Sequence, residues 1–141
     1  VLFRSNSYGG VAGFTTRLQG LIGCVIDGVT RDIDEYKDLN LPVYGRGFIQ
    51  QSIRNRCACA GYQIDIQLGG IPVKPGDLIV ADDNGICVVP RDRMEEVLGL
   101  AQFFKSVEER IIEAIRTGVD PVVAHEKVRY DMMTKAGYEP N

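Results

Sequence analysis

Leu21-Ile-Gly-Cys-Val-Ile-Asp-Gly-Val-Thr-Arg-Asp32 is the stretch on which the fold turns. Its first part, Leu21 to Ile26, is almost wholly apolar, the pattern of a strand covered on both faces. The run stops at Asp27-Gly28, and a cation and a carboxylate, Arg31 and Asp32, follow side by side. In open α/β sheets ligands bind beyond the carboxyl ends of the strands. Arg31 and Asp32 are placed at such an end. Arginine offers a planar donor fork that grips a carboxylate through two bonds. One aspartate oxygen, with waters in the other positions, suits Mg²⁺ or Mn²⁺. The pair could therefore hold an anionic, metal-chelating small molecule. Two adjacent charges also allow a plainer reading, in which Asp32 caps the next helix and Arg31 is a surface residue.

Upstream, Tyr8-Gly9-Gly10 is a turn signal. From Val11 to Gln19 the spacing suits a helix, with Val11, Phe14 and Leu18 on one side and Gly20 at its end. Glycines before a helix leave backbone N–H groups free, and the helix dipole favours an anion there. Gly9, Gly10, Val11 and Ala12 are thus candidates for holding a carboxylate, unless the turn is an ordinary one. Downstream, the acidic segment Ile33 to Leu39 predicts one or two helical turns, and Pro42 to Tyr44 predicts a strand. Tyr62 to Leu68 alternates as a half-buried strand does. Leu78–Ala81 and Ile86–Val89 are apolar runs joined by Asp82-Asp83-Asn84-Gly85, a strong hairpin signal. That loop lacks the spacing and distal Glu of a calcium-binding EF-hand.

The last long element is a helix. Met94, Val97, Leu98, Ala101, Phe104, Val107, Ile111 and Ile115 recur at steps of three and four, and Gly118 closes it. Asp120 to Asn141 is polar but carries Val122, Val123, Val128, Tyr130, Met132 and Met133. This C-terminal extension, residues 119–141, is expected to pack on a neighbouring subunit or on a segment outside this chain. Together the elements predict a layered α/β domain. Neither GxGxxG nor GxxxxGK[ST] occurs, which argues against dinucleotide or P-loop nucleotide chemistry.

Composition narrows the classes. The chain has 141 residues, 45% of them hydrophobic, enough for one domain with its own core. Its net charge of −3 argues against nucleic-acid binding through a basic face. No apolar run reaches the roughly 18 residues of a membrane span, and a cytoplasmic location is expected. Cys24, Cys57, Cys59 and Cys87 form no CxxC pair and fit no zinc spacing, so reduced, buried thiols are expected. The single histidine, His125, has no nucleophile partner in view, and a catalytic triad is not expected. The opening residues, Val1 to Ser7, run almost at once into a glycine turn, and the chain reads as a fragment lacking an N-terminal part.

Four ordered motifs carry a resemblance. They are Gly23 to Asp32; Leu41-Pro-Val-Tyr-Gly-Arg-Gly47; Gly69-Gly-Ile-Pro-Val-Lys-Pro-Gly-Asp77; and Ala81-Asp-Asp-Asn-Gly-Ile-Cys-Val-Val-Pro90. In these the chain resembles the RraA-like family of 4-hydroxy-4-methyl-2-oxoglutarate/4-carboxy-4-hydroxy-2-oxoadipate aldolases and regulators of ribonuclease E activity. The resemblance covers about residues 8–118 and implies an RraA-like catalytic domain over 1–118. It implies an α/β/β/α sandwich of the swivelling β/β/α type, assembled as a homotrimer or homohexamer. It implies a lyase that uses a divalent cation, Mg²⁺ or Mn²⁺, to release pyruvate from short 2-oxo acids, often with oxaloacetate decarboxylase activity. On that likeness Gly9, Gly10, Val11 and Ala12 match the substrate-holding loop, Arg31 the substrate-binding arginine, and Asp32 the metal-binding aspartate. The family's loop usually has an acidic residue where this chain has Gly10. Retention of Asp32 favours the enzyme over the regulator, which would act through acidic surface such as Asp34, Glu35 and Asp38.

Overall fold

A computed structural model describes residues 6–128 of the chain. Its contacts divide the chain into two compact units, Val1–Val88 and Val89–Asn141. The first unit holds β1 (Asn6–Tyr8), α1 (Gly10–Leu18), β2 (Cys24–Val25), β3 (Val29–Thr30), α2 (Ile33–Asp38), β4 (Val43–Tyr44) and β5 (Gly47–Phe48). After a long loop come β6 (Ile66–Leu68), β7 (Ile71–Val73) and the hairpin strands β8 (Leu78–Asp82) and β9 (Gly85–Val89). β3 is the middle strand of a three-stranded parallel sheet, with Val29 opposite both Asn6 and Gly47. β2 and β4 form a second parallel pair, Cys24 opposite Val43. Parallel neighbours need crossover connections. Here α1 lies between β1 and β2, and α2 between β3 and β4. The mixture of helix and parallel strand is the α/β class that the order of elements predicts.

The two helices of this unit meet through glycine. The buried residues of α1 are Gly10 and Gly13, and Tyr36 of α2 is buried against Gly13. A Cβ on Gly13 would stand 2.9 Å from two carbons of the Tyr36 ring, so the approach requires a residue without one. The apolar residues of α1 lie away from this contact. Val11, Phe14 and Leu18 are 86%, 54% and 70% exposed. They lie one residue, about 100°, around the helix from the glycine contact. The strand expected from Leu21 to Ile26 is shorter too. Only Cys24–Val25 pairs, and Leu21 and Ile22 are exposed.

The second unit is a helical pair. A single 3₁₀ turn, Arg91–Arg93, leads into α3 (Met94–Arg116), which is followed by α4 (Pro121–Val128). Val107 and Ile111 of α3 form a buried core with Ala124 and Val128 of α4, flanked by Phe103, Phe104 and Ile115. Gly118, at φ +93°, makes the turn between them. Asp120 Oδ1 then accepts the N–H groups of Val122 and Val123, at 2.9 and 3.3 Å, and so caps α4. The first part of the C-terminal extension thus packs on α3 of its own chain. Residues 129–141, with Tyr130, Met132 and Met133, lie outside the described residues. Among the described residues no helix is long and apolar enough to cross a membrane.

Candidate functional site

The site begins at the junction of β1 and β3. Thr30, buried in β3, donates its hydroxyl to the carbonyl of Tyr8 at 2.7 Å, and the Arg31 N–H reaches the same carbonyl at 3.3 Å. The hydroxyls of Thr30 and Tyr36 are 2.8 Å apart. With the Thr30 proton committed to Tyr8, Tyr36 is the donor. The Tyr8 and Tyr36 rings pack at 5.7 Å. Burial pushes both phenols up from their ordinary pKa, so they stay protonated as donors. This cluster ties the end of β3 to the residue just before the Gly9-Gly10 turn. Arg31 and Asp32 therefore emerge beside the N-terminus of α1.

Asp32 stands at the start of α2 with φ 60° and ψ 43°, in the left-handed region. Aspartate tolerates that region better than most residues, yet it is uncommon. As a helix cap Asp32 would bond the N–H groups of α2, but its side chain makes no such bond. Instead Oδ2 accepts the Gly10 N–H at 2.9 Å and Arg31 Nε at 3.1 Å. Its carbonyl accepts the Glu35 N–H at 3.1 Å. The capping reading from the sequence is thus only half met: Asp32 has the position of a cap, and its carboxylate is turned elsewhere. Asp32 Oδ1 and the terminal guanidinium nitrogens of Arg31 have no hydrogen-bond partner among the described residues.

Gly9 and Gly10 leave room for the neighbouring side chains. A Cβ on Gly9 would lie 3.0 Å from both Arg31 Nε and Asp32 Oδ2, and one on Gly10 would overlap the Glu35 carboxylate. The Gly10 amide is committed to Asp32. The Val11 and Ala12 amides have no acceptor among the described residues, as expected in the first turn of a helix. Arg31 and Asp32 open onto a cavity of about 600 Å³ that also includes Glu35, Phe48 and Gln50 in its walls. Asp32 Oδ1 with room for several waters fits a hard cation such as Mg²⁺, which keeps much of its hydration shell. Among the described residues no three His, Cys, Asp or Glu side chains gather as a closed metal site.

A second cavity, about 590 Å³, has Asp27 and Arg46 in its wall. These two form an ion pair, and Asp27 Oδ2 also accepts the Gly69 N–H at 2.9 Å. The Arg46 bond, with help from Gly69, holds the Asp27 carboxyl below its usual range. The Asp82 to Gly85 turn behaves as a turn. Asp82 Oδ1 accepts the N–H groups of Asn84 and Gly85 at 2.8 and 3.2 Å. The thiols differ from expectation: Cys24 is half-buried, while Cys57, Cys59 and Cys87 are exposed. Cys87 sits in an apolar run whose first residues, Gly85 to Cys87, are all exposed in β9, which a run of residue types does not reveal.

The RraA-like family (Aldolase/RraA) matches residues 4–88, which include every residue of the site. The chain belongs to the RraA-like family. It is 35% identical, over 106 residues, to a Halalkalibacterium halodurans protein named "Putative 4-hydroxy-4-methyl-2-oxoglutarate aldolase", covering 75% of this chain and 50% of that one. It is 34% identical over 124 residues to protein DlpA of Legionella pneumophila, covering 88% of this chain and 20% of that protein. Among solved structures, an uncharacterised Pseudomonas syringae pv. tomato protein superposes with a TM-score of 0.81 at 37% identity, covering 86% of this chain and 61% of that one. Streptomyces coelicolor RraAS2, described as an unusual member of the RNase ES inhibitor RraA protein family, superposes with a TM-score of 0.69 at 28% identity, over 76% and 55% of the two chains. The chain thus spans between a fifth and about three-fifths of the length of these relatives.

Sequence reasoning singled out Arg31, Asp32 and Gly9 to Ala12, and the fold brings them together. It left Glu35 on the acidic surface and gave Thr30 and Tyr36 no role. A spacing of three residues from Asp32 to Glu35, one face of a helical turn, was the available signal.

Proposed function

We propose that this RraA-like chain carries the site of a divalent-metal-dependent lyase acting on short 2-oxo acids. The reactions are retro-aldol cleavage of 4-hydroxy-4-methyl-2-oxoglutarate-type substrates to pyruvate, and decarboxylation of oxaloacetate. The observation that carries this reading is the Gly10 N–H bond to Asp32 Oδ2, which joins the glycine turn, the arginine and the aspartate at one cavity. A bound Mg²⁺ or Mn²⁺ supplies Lewis-acid polarisation of the 2-oxo group. Asp32 anchors the cation through Oδ1. Arg31, held at Nε by Asp32, presents its terminal N–H fork to the substrate carboxylate and to charge developing on the 2-oxo oxygen. The Val11 and Ala12 amides, at the positive end of α1, receive an anionic group of the substrate. Assembly into trimers, which the family likeness implies, is part of the same reading.

The test is pyruvate release from oxaloacetate with Mg²⁺, with EDTA, and in Asp32→Ala and Arg31→Ala. Loss of activity in EDTA and in Asp32→Ala is expected. A fall of about 10²–10³-fold is expected for Arg31→Ala, by analogy with loss of one oxyanion donor. Activity indifferent to EDTA and to Asp32→Ala refutes the reading.

The RraAS2 likeness favours a second reading, a regulator that binds ribonuclease E. It would use the exposed acids Asp34, Glu35 and Asp38 of α2. Capture of ribonuclease E in EDTA, lost on charge reversal of those acids, would support it over the lyase.

A further inference from the structure

Asp32 holds a backbone conformation that costs energy. At φ 60° and ψ 43° it lies in the left-handed region, where a residue with a side chain persists only if its surroundings hold it. An aspartate just before a helix has an easier alternative, extended backbone with the carboxylate capping the first N–H groups of the helix. Asp32 does not take it, and its Oδ2 accepts the Gly10 N–H instead.

The residues that enforce this choice flank Asp32 in the chain. Thr30 precedes it at the end of β3, and Tyr36 follows it on α2; both are buried. Their hydroxyls meet at 2.8 Å, which closes residues 30–36 into a loop with Asp32 inside it. Each end of the loop is anchored. The Tyr36 ring rests on Gly13 and on Tyr8. Thr30 donates to the Tyr8 carbonyl at 2.7 Å. The β1–β3 ladder is irregular at this point: Asn6 pairs with Val29 and Tyr8 with Thr30, so β1 advances two residues for one of β3. The main-chain bond to the same carbonyl, from the Arg31 N–H, is longer at 3.3 Å. A side-chain hydroxyl thus secures the two strands where the ladder slackens, and irregularities of this kind re-aim the residues beside them.

We propose that the Thr30–Tyr36 hydroxyl pair is a clasp that holds Asp32 in its left-handed conformation, and so turns its carboxylate from the cap of α2 to the Gly10 amide at the cavity. Thr30 and Tyr36 are then positioning residues. Their part in the proposed reaction rests on the reading of Asp32 given above, whereas the clasp itself does not.

The test follows solvent exchange of the Gly10 amide by NMR in the full chain, without metal or substrate. Asp32→Ala sets the full effect, expected at about tenfold faster exchange or more, since a bond to a charged group is lost. Tyr36→Phe deletes the donor and keeps the ring on Gly13; Thr30→Val deletes both bonds of Thr30. Each is expected to speed Gly10 exchange about 3–10-fold. Thr30→Ser keeps the hydroxyl and is expected to match the wild type. The double variant Thr30→Val/Tyr36→Phe is expected to equal Thr30→Val alone, because the same interaction is removed twice. Thr16→Val is the control. It deletes a hydroxyl that bonds Tyr8 at 2.5 Å in the same cluster but outside residues 30–36, and it is expected to leave Gly10 unchanged. In a separate titration with Mn²⁺ alone, read by electron paramagnetic resonance of the free ion, Tyr36→Phe is expected to raise Kd about 10-fold.

Unchanged Gly10 exchange in Tyr36→Phe overturns the proposal. So does an equal effect of Thr16→Val, a failure of Thr30→Ser to match the wild type, or exchange speeded alike at every amide of α1 and α2. A wild-type Kd for Mn²⁺ in Tyr36→Phe overturns the positioning role. If the clasp variants behave as expected while the wild type binds no Mn²⁺, the clasp stands and the reading of Asp32 as a cation anchor falls. If Asp32→Ala abolishes Mn²⁺ binding while Tyr36→Phe leaves Gly10 exchange unchanged, that reading stands and the clasp falls.

Discussion

Replacing Gly13 by alanine sets helix propensity against packing. In an exposed helix interior, Gly→Ala stabilises by about 0.5–1 kcal/mol. At Gly13 the new methyl carbon would stand 2.9 Å from Cδ1 and Cε1 of Tyr36. Carbon pairs prefer about 3.5–4.0 Å, so the overlap is about 0.6–1.1 Å. The Tyr36 ring is poorly free to yield, being bonded to Thr30 and packed on Tyr8. Overpacking of this kind costs about 1–3 kcal/mol. Gly13→Ala is therefore expected to be destabilised by about 1 kcal/mol net. Gly99 in α3 is the control: it is exposed, and nothing lies within 4 Å of its added Cβ. Gly99→Ala is expected to be stabilised by about 0.5–1 kcal/mol. Urea unfolding followed by circular dichroism, each variant against wild type, reads both. Gly13→Ala as stable as Gly99→Ala would refute the close approach of α1 to α2. Because that approach also sets the Gly10 N–H on Asp32, Gly13→Ala is expected to weaken Mn²⁺ binding as well.

Three further outcomes follow from the same geometry. Val107 is fully buried between α3 and α4; Val107→Ala removes two carbons and is expected to cost about 2 kcal/mol, read by urea unfolding. The Asp27 carboxyl is held below its usual range by Arg46 and the Gly69 N–H, so its contribution is complete above the ordinary carboxylate pKa of about 4 and is lost as pH falls through the lowered value. The stability difference between wild type and Asp27→Asn is then flat above about pH 5 and shrinks below about pH 4, and a difference that grew on acidification would contradict the pair. Burial pushes the Cys24 thiol up from its ordinary pKa, so iodoacetamide at pH 8, followed by peptide mass spectrometry, is expected to label the exposed Cys57, Cys59 and Cys87 before Cys24.

Local pattern was enough for the order of elements, and for singling out Arg31-Asp32 and the Gly9-Gly10 turn as separate candidates; the family resemblance implied that they share a site. A glycine pair before a helix, an apolar run ending in Asp-Gly, and Asn-Gly between two apolar runs are signals of backbone geometry, carried by a few consecutive residues. The stripe of Val107 and Ile111 was legible for the same reason, since period alone marks a buried helix face. Folding had to settle the rest. Val11, Phe14 and Leu18 have the spacing of a core face, yet α1 turns its glycines inward, because Tyr36 comes from another helix and needs space that only a missing Cβ provides. The position of Asp32 before a helix shows in the chain; that its carboxylate leaves the helix for Gly10 depends on a left-handed backbone and on β1 lying next to β3. Glu35 reads as solvated charge until α1 brings Gly10 beneath it. Residues 22 or more apart in the chain meet at this site, and contacts at that separation depend on how the elements pack.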